Sequence, residues 1–275
     1  MGPPHRPWED GADFAIGLRP IPAERWLEGG EAEPAARKDA LFATARDLVW
    51  AETPGSRAGQ GEVLGLVEAA LGAADPRPDL PPLYAAARRV PDDLCLMQKA
   101  EGEWRLTALS LCAGTFFTAG EVVGRSLAEL HRPVGGFSDR FLTRVQRIFE
   151  GLRPDLVLER RNWTVVNSPE LHTPRSAPIR ARIGEIAAAD AGRALQVRVE
   201  RQTLRRLPQT GGAVFTIRVW LAPLAEVAQD PSRRAAFARA WREATPEFRA
   251  YKRFDLYDRL VEGYLAAVDA AAARA

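Results

Sequence analysis

Two cysteines, Cys95 and Cys112, cannot build a disulfide framework, and they supply too few thiolates for a four-cysteine zinc site or an iron–sulfur cluster. Histidine is almost as scarce. With only His5, His131 and His172, a three-histidine metal centre would have to recruit a proline-rich terminus and two distant segments. No charge-free apolar run reaches the roughly 20 residues a membrane span needs; the longest, residues 106–120, contains Thr, Ser and Gly. The sequence also lacks a GxSxG elbow, a Walker A loop, HExxH and a Rossmann glycine fingerprint, which leaves simple hydrolase, nucleoside-triphosphatase and NAD-binding readings without local support. Its 38 basic and 36 acidic residues nearly cancel, so binding to nucleic acid through bulk charge is not expected. Only Lys38, Lys99 and Lys252 among the basic residues are lysines, a bias that reads as compositional. The opening MGPPHRPWED has no secretory apolar run, so the expectation is a cytoplasmic protein without membrane contact.

What is present is an ordinary globular composition, 46% hydrophobic and 27% charged, in 275 residues, long enough for a sizeable core. Prolines and glycines through residues 1–35 suggest an extended arm that Trp8, Phe14 and Trp26 could anchor. Residues 36–275 read as one domain. Leu41, Ala45, Leu48 and Val49, then Leu64, Val67 and Leu71, recur at helical spacing. From residue 93 the period changes: 93–99 and 103–111 read as a hairpin joined by Ala100-Glu101-Gly102. A short helix is expected over 121–130, and Phe141, Leu142, Val145, Ile148 and Phe149 form an apolar stripe behind the capping candidates Ser138 and Asp139. Strands follow at 157–166, 195–207 and 213–221, with a turn at 208–212. Two C-terminal helices are marked by Phe237 with Trp241, and by the face running from Leu256 to Val268.

Two strands, then helices, then three strands is the element order of a PAS-like α+β fold: a five-stranded antiparallel sheet over a ligand pocket, with the sheet core spanning about 93–221 and helical extensions outside it. Several residues in this frame could carry chemistry. His131 ends the short helix, either as a polar terminal residue or as a neutral imidazole able to ligate haem iron. On the strand from 195, Arg198, Glu200, Gln202 and Arg206 alternate with Arg201, Thr203 and Arg205, so one polar row faces solvent as ion pairs or enters a pocket. Arg218 interrupts an apolar run and needs an anion; depending on register it joins Glu200 and Gln202 or pairs with Thr203. Asn162 could bind a ligand or close a turn, Trp163 reads as core or as a stacking residue, and Cys112 as a small buried residue at a strand end.

The segments LC at 111–112, GRSLAELHRPV at 124–134, RNW at 161–163, VERQTLRRLP at 199–208, FTIR at 215–218 and AYK at 250–252 resemble the haem-dependent oxidative N-demethylase alpha subunit family, over about residues 17–264. The resemblance implies a PAS-type pocket holding haem b and its iron, in a monooxygenase that turns dimethylamine into methylamine and formaldehyde with O2. It also implies partner subunits that bring electrons from NADPH through flavin and an iron–sulfur cluster. His131 would be the metal ligand, with Asn162 and Arg206 as further cofactor-binding candidates. Glu200 would face the substrate amine, and Gln202, Thr203 and Arg218 would orient substrate, oxygen or a propionate. Where the family has a Pro-Ser loop, an aromatic residue and Glu-Lys, this chain reads AGTFFTAGEVVG, which leaves open a different amine, or a non-enzymatic haem or small-ligand sensor.

Overall fold

The computed structural model describes all residues except 1–2, 11–16, 29–33, 75–76, 133–138 and 275. Its centre is a seven-stranded sheet: β1 (Arg19–Ile21), β2 (Trp50–Glu52), β3 (Asp93–Ala100), β4 (Glu103–Ser110), β5 (Val157–Val166), β6 (Gln196–Arg206) and β7 (Ala213–Pro223), in the order β1-β5-β6-β7-β3-β4-β2. The five expected strands are all there. Two three-residue edge strands join them, β1 antiparallel to β5 and β2 antiparallel to β4, so the sheet is wider than the five strands foreseen. The β3–β4 hairpin closes through Glu101 and Gly102, both at positive φ (53° and 81°), the turn whose twist matches its flanking strands. The β6–β7 turn is held from outside, because Glu62 accepts hydrogen bonds from Gln209 N at 2.7 Å and Thr210 N at 2.8 Å.

Three helices differ from the periodicity. The stripe at 41–49 belongs to two helices, Pro34–Thr44 and Arg46–Val49, separated at Ala45 by a φ of −144°. The helix expected over 121–130 is likewise two, Ala119–Val122 and Leu127–His131, each opened by its own capping box, Thr118 with Glu121 and Ser126 with Glu129. Between them Gly124 adopts φ 79°, and Gly124 and Arg125 are bonded to Leu106 of β4 (2.7 Å and 3.0 Å), so the backbone there serves the strand rather than a helix. The stripe beginning at Leu256 breaks at Tyr257, after which Asp258–Ala272 is helical. Phe14 and Ser138, proposed as anchor and cap, lie outside the described residues, and so does the side chain of Asp139.

The chain packs as two compact units. One comprises 1–15, 161–200 and 219–275; the other, 16–160 and 201–218. In the first, Trp163 is core, surrounded by Trp8, Phe237, Trp241, Phe248 and Phe254 with ring centroids 5.4–6.4 Å away. In the second, alternate residues of β3 feed two cores: Leu94 and Leu96 pack with Trp26 and Tyr84, while Cys95 and Met97 pack with Trp104, Leu109 and Phe149. Among the described residues no helix is long and apolar enough to cross a membrane.

A buried ion pair ties the arm into the second unit. Arg201 is wholly buried; its Nε is 2.6 Å from Glu159 Oε2, itself 1% exposed, and its guanidinium donates to the carbonyls of Trp26 (2.9 Å) and Arg25. Removing one member of such a pair strands a charge in the interior, at a cost of about 3–5 kcal/mol. Arg201→Met is expected to lose that much stability in urea unfolding; a loss below about 1 kcal/mol would show that the pair does not hold the arm.

Candidate functional site

In the first unit, β5, β6 and the helix Pro246–Lys252 bring four polar side chains together. Arg198 and Glu200 are two apart on β6 and therefore share a face; Arg198 Nε lies 3.1 Å from Glu200 Oε1. Asn162 on β5 donates from Nδ2 to Glu200 Oε2 at 3.2 Å, and its Oδ1 accepts from Lys252 Nζ at 2.8 Å. Arg198 is 4% and Glu200 19% exposed at the side chain, so the cluster is largely withdrawn from water. Burial alone would push the Glu200 carboxyl up. The charges of Arg198 and Lys252, with hydrogen bonds from Asn162 and Arg198, outweigh it and bring the pKa down to about 2. Glu200 is thus a carboxylate throughout the physiological range.

In the second unit His131 closes the helix Leu127–His131, and its Nδ1 lies 2.7 Å from the Leu127 carbonyl. A carbonyl only accepts, so this contact selects the tautomer protonated at Nδ1 and puts the lone pair on Nε2. Burial lowers the His131 pKa, only partly opposed by the Leu127 bond, and Arg160 lowers it further. The ring is therefore the neutral imidazole that a metal requires, with its other nitrogen oriented by a carbonyl as ligating histidines are. Among the described residues no group of three or more His, Cys, Asp or Glu is placed to hold a metal ion. A single histidine fits a metal that arrives with its own equatorial ligands, as in haem.

Other singled-out residues are engaged differently. The Thr203 hydroxyl meets that of Thr216 at 2.7 Å, both buried. Arg218 follows Ile217, which pairs with Asp93 on β3, and its charge acts on the neighbouring Asp92. Gln202 is half-buried on β6. Arg206 lies 5.3 Å from the Trp104 ring centroid and donates to the Phe149 carbonyl at 3.4 Å. Cys112 is buried, which pushes its thiol up to about 11 and keeps it protonated. A cavity of about 430 Å³ in this unit is lined by Leu27, Leu66, Val90, Arg89 and Arg205 among others; of the residues named along β6 it takes in Arg205, and its lining does not include His131, Thr203, Arg206 or Arg218.

Sequence reasoning missed two participants, Arg198 and Lys252 as partners of Glu200 and Asn162. The first was visible in the alternation along β6. The second had a signal too, since AYK at 250–252 is one of the segments carrying the resemblance.

Taken together, the chain is an α+β protein with an antiparallel sheet, a histidine suited to haem iron and a part-buried carboxylate held ionised by two cations. The family model described as haem-dependent oxidative N-demethylase, alpha subunit-like, matches residues 60–261. The chain belongs to that family. The name denotes a haem-dependent oxidoreductase and one subunit among several.

A fully buried acid behaves oppositely to Glu200. Asp92 is wholly buried and neither carboxylate oxygen has a well-formed hydrogen bond; Thr216, already engaged with Thr203, adds only a weak pull. Burial raises its pKa from 3.8 to about 6 against the charges of Lys38, Arg218 and Arg201. A raised pKa contributes stability that is complete below the unfolded value and lost as pH rises through the folded one. The stability of the protein relative to Asp92→Asn is therefore expected to fall by about 1–3 kcal/mol between pH 4 and pH 7.5 in urea unfolding. An unchanged difference at the two pH values contradicts this.

Proposed function

We propose that this chain is the haem-binding catalytic subunit of an assembly that N-demethylates a small secondary amine such as dimethylamine. Amine, O2, two electrons and two protons give methylamine, formaldehyde and water. The observation that carries the reading is convergence: 161–163, 199–208 and 250–252, each part of the resemblance, contribute Asn162, Glu200 and Lys252 to one hydrogen-bonded cluster. The strand order also supports a PAS-like description, because β5-β6-β7-β3-β4 are contiguous, the last strand pairs with the first, and the helices of 119–150 intervene in sequence.

Haem b, held by His131, supplies the binding and activation of O2. In this reading Glu200 accepts a hydrogen bond from the amine N–H. With a pKa near 2 it is too weak a base to take the ammonium proton, so the amine has to enter already deprotonated or lose its proton elsewhere. Asn162, its amide engaged by Glu200 and Lys252, serves the carboxylate rather than the cofactor. Gln202, Thr203 and Arg218 are kept as orienting residues and Arg206 as a propionate partner. Electrons come from partner subunits carrying flavin and an iron–sulfur cluster and drawing on NADPH; the protein works in the cytoplasm.

The test is formaldehyde release from a panel of methylated amines by haem-loaded protein supplied with reductant and O2. Glu200→Gln is expected to lower kcat/KM by about ten- to a hundredfold, the worth of a hydrogen bond to a charged group. The wild-type profile should show no ionisation of Glu200 between pH 5 and pH 8. Absence of formaldehyde from every amine sinks the reading, and a stable O2 complex without amine consumption would favour a sensor.

A further inference from the structure

With 38 basic residues and only three lysines, a lysine in this chain stands where arginine is otherwise the rule. The structure separates the three. Lys99 is half-exposed beside Glu150 (2.8 Å), whereas Lys38 is fully buried with Nζ 2.5 Å from the Asp92 carbonyl. Lys252 is half-buried at the end of the helix Pro246–Lys252, with Nζ 2.8 Å from Asn162 Oδ1 and 4.6 Å and 5.7 Å from the ring centroids of Tyr251 and Phe248. A compact ammonium can meet a carbonyl oxygen and the ring faces from one atom; a planar guanidinium spreads its donors over a fork.

Asn162 stands between a donor-only and an acceptor-only group. Lys252 requires its oxygen and Glu200 its NH2, so one orientation of the amide satisfies both. The helix that delivers Lys252 is placed independently of this contact. Thr245 caps its start, Phe248 packs on Trp163 with centroids 6.1 Å apart, and Arg253 stops it in the left-handed region at φ 54°.

We propose that Lys252 is a positioning residue of the candidate site: through the Asn162 amide it fixes the direction in which Glu200 presents its carboxylate, and it does so as an ammonium. The inference rests on the reading of Glu200 as the amine-facing group. Among the charged and polar groups acting on that carboxylate are Arg198 from β6, Asn162 from β5 and Lys252 from the helix, so loss of the Lys252 charge has a direct effect on Glu200.

The test begins on the full chain without haem, with 13C-labelled glutamate and the Glu200 signal assigned through Glu200→Gln. In Lys252→Met the Glu200 midpoint is expected to rise by about one pH unit or more, while Lys252→Arg, which keeps the charge, stays near wild type. If Lys252→Met does not fold, Lys252→Gln takes its place. In haem-loaded protein both Met and Arg variants should lose about ten- to a hundredfold in kcat/KM with haem uptake unchanged. An unmoved midpoint in the uncharged variant, or full activity in Lys252→Arg, overturns the proposal. A shifted midpoint in a protein that demethylates no amine keeps the Lys252–Glu200 coupling and overturns the functional reading instead.

Discussion

An interior strand that carries charge has to find every counter-charge inside the protein. β6 lies between β5 and β7 and holds Arg198 and Arg201 at 3% and 0% exposure, so neither guanidinium can be left to water. Their odd spacing of three sends them to opposite faces. Arg201 is met by Glu159 and two carbonyls from the arm, and Arg198 by Glu200. One compensation secures the arm within its unit. The other creates the ionised carboxylate around which the proposed chemistry is built.

The two informative acids show why burial alone does not decide protonation. Both Glu200 and Asp92 are withdrawn from water and both have cations nearby, yet one titrates far below its ordinary range and the other above it. For Glu200 the charges of Arg198 and Lys252, with hydrogen bonds added to them, outweigh burial; for Asp92 burial outweighs its cations. Glu200 has Asn162 and Arg198 as donors at 3.2 Å and 3.1 Å, whereas Asp92 has cations without well-formed donors, and desolvation wins. A carboxylate held as firmly as Glu200 suits binding and orientation, and proton removal has to be assigned elsewhere.

Much of this was legible in the residues. Runs of strand-forming residues bounded by turn signals, the alternation along β6 and the Glu101-Gly102 turn located the five long strands, because each leaves a local signature. β1 and β2 were not, since three residues such as Arg-Pro-Ile carry no period. The split of the helix at 119–131 was readable in Thr118-Glu121 and Ser126-Glu129, but the bonds from 124–125 to Leu106 were not. The pairing of Thr203 with Thr216 depended on register, and the 90 residues separating Asn162 from Lys252 left no local pattern to connect them. His131 was recognisable as a candidate, while its orientation by the Leu127 carbonyl four residues earlier in the same helix depends on the rotamer, which the sequence does not show.

The central claim is that the chain binds haem and that Glu200 engages a small methylated amine. The most direct measurement is the absorption spectrum of haem-supplemented protein titrated with dimethylamine. The account predicts one Soret band per chain that shifts saturably with the amine, and a shift weakened by Glu200→Gln while the band itself remains. Failure to take up haem, or a stoichiometric Soret band indifferent to every small methylated amine, would contradict it.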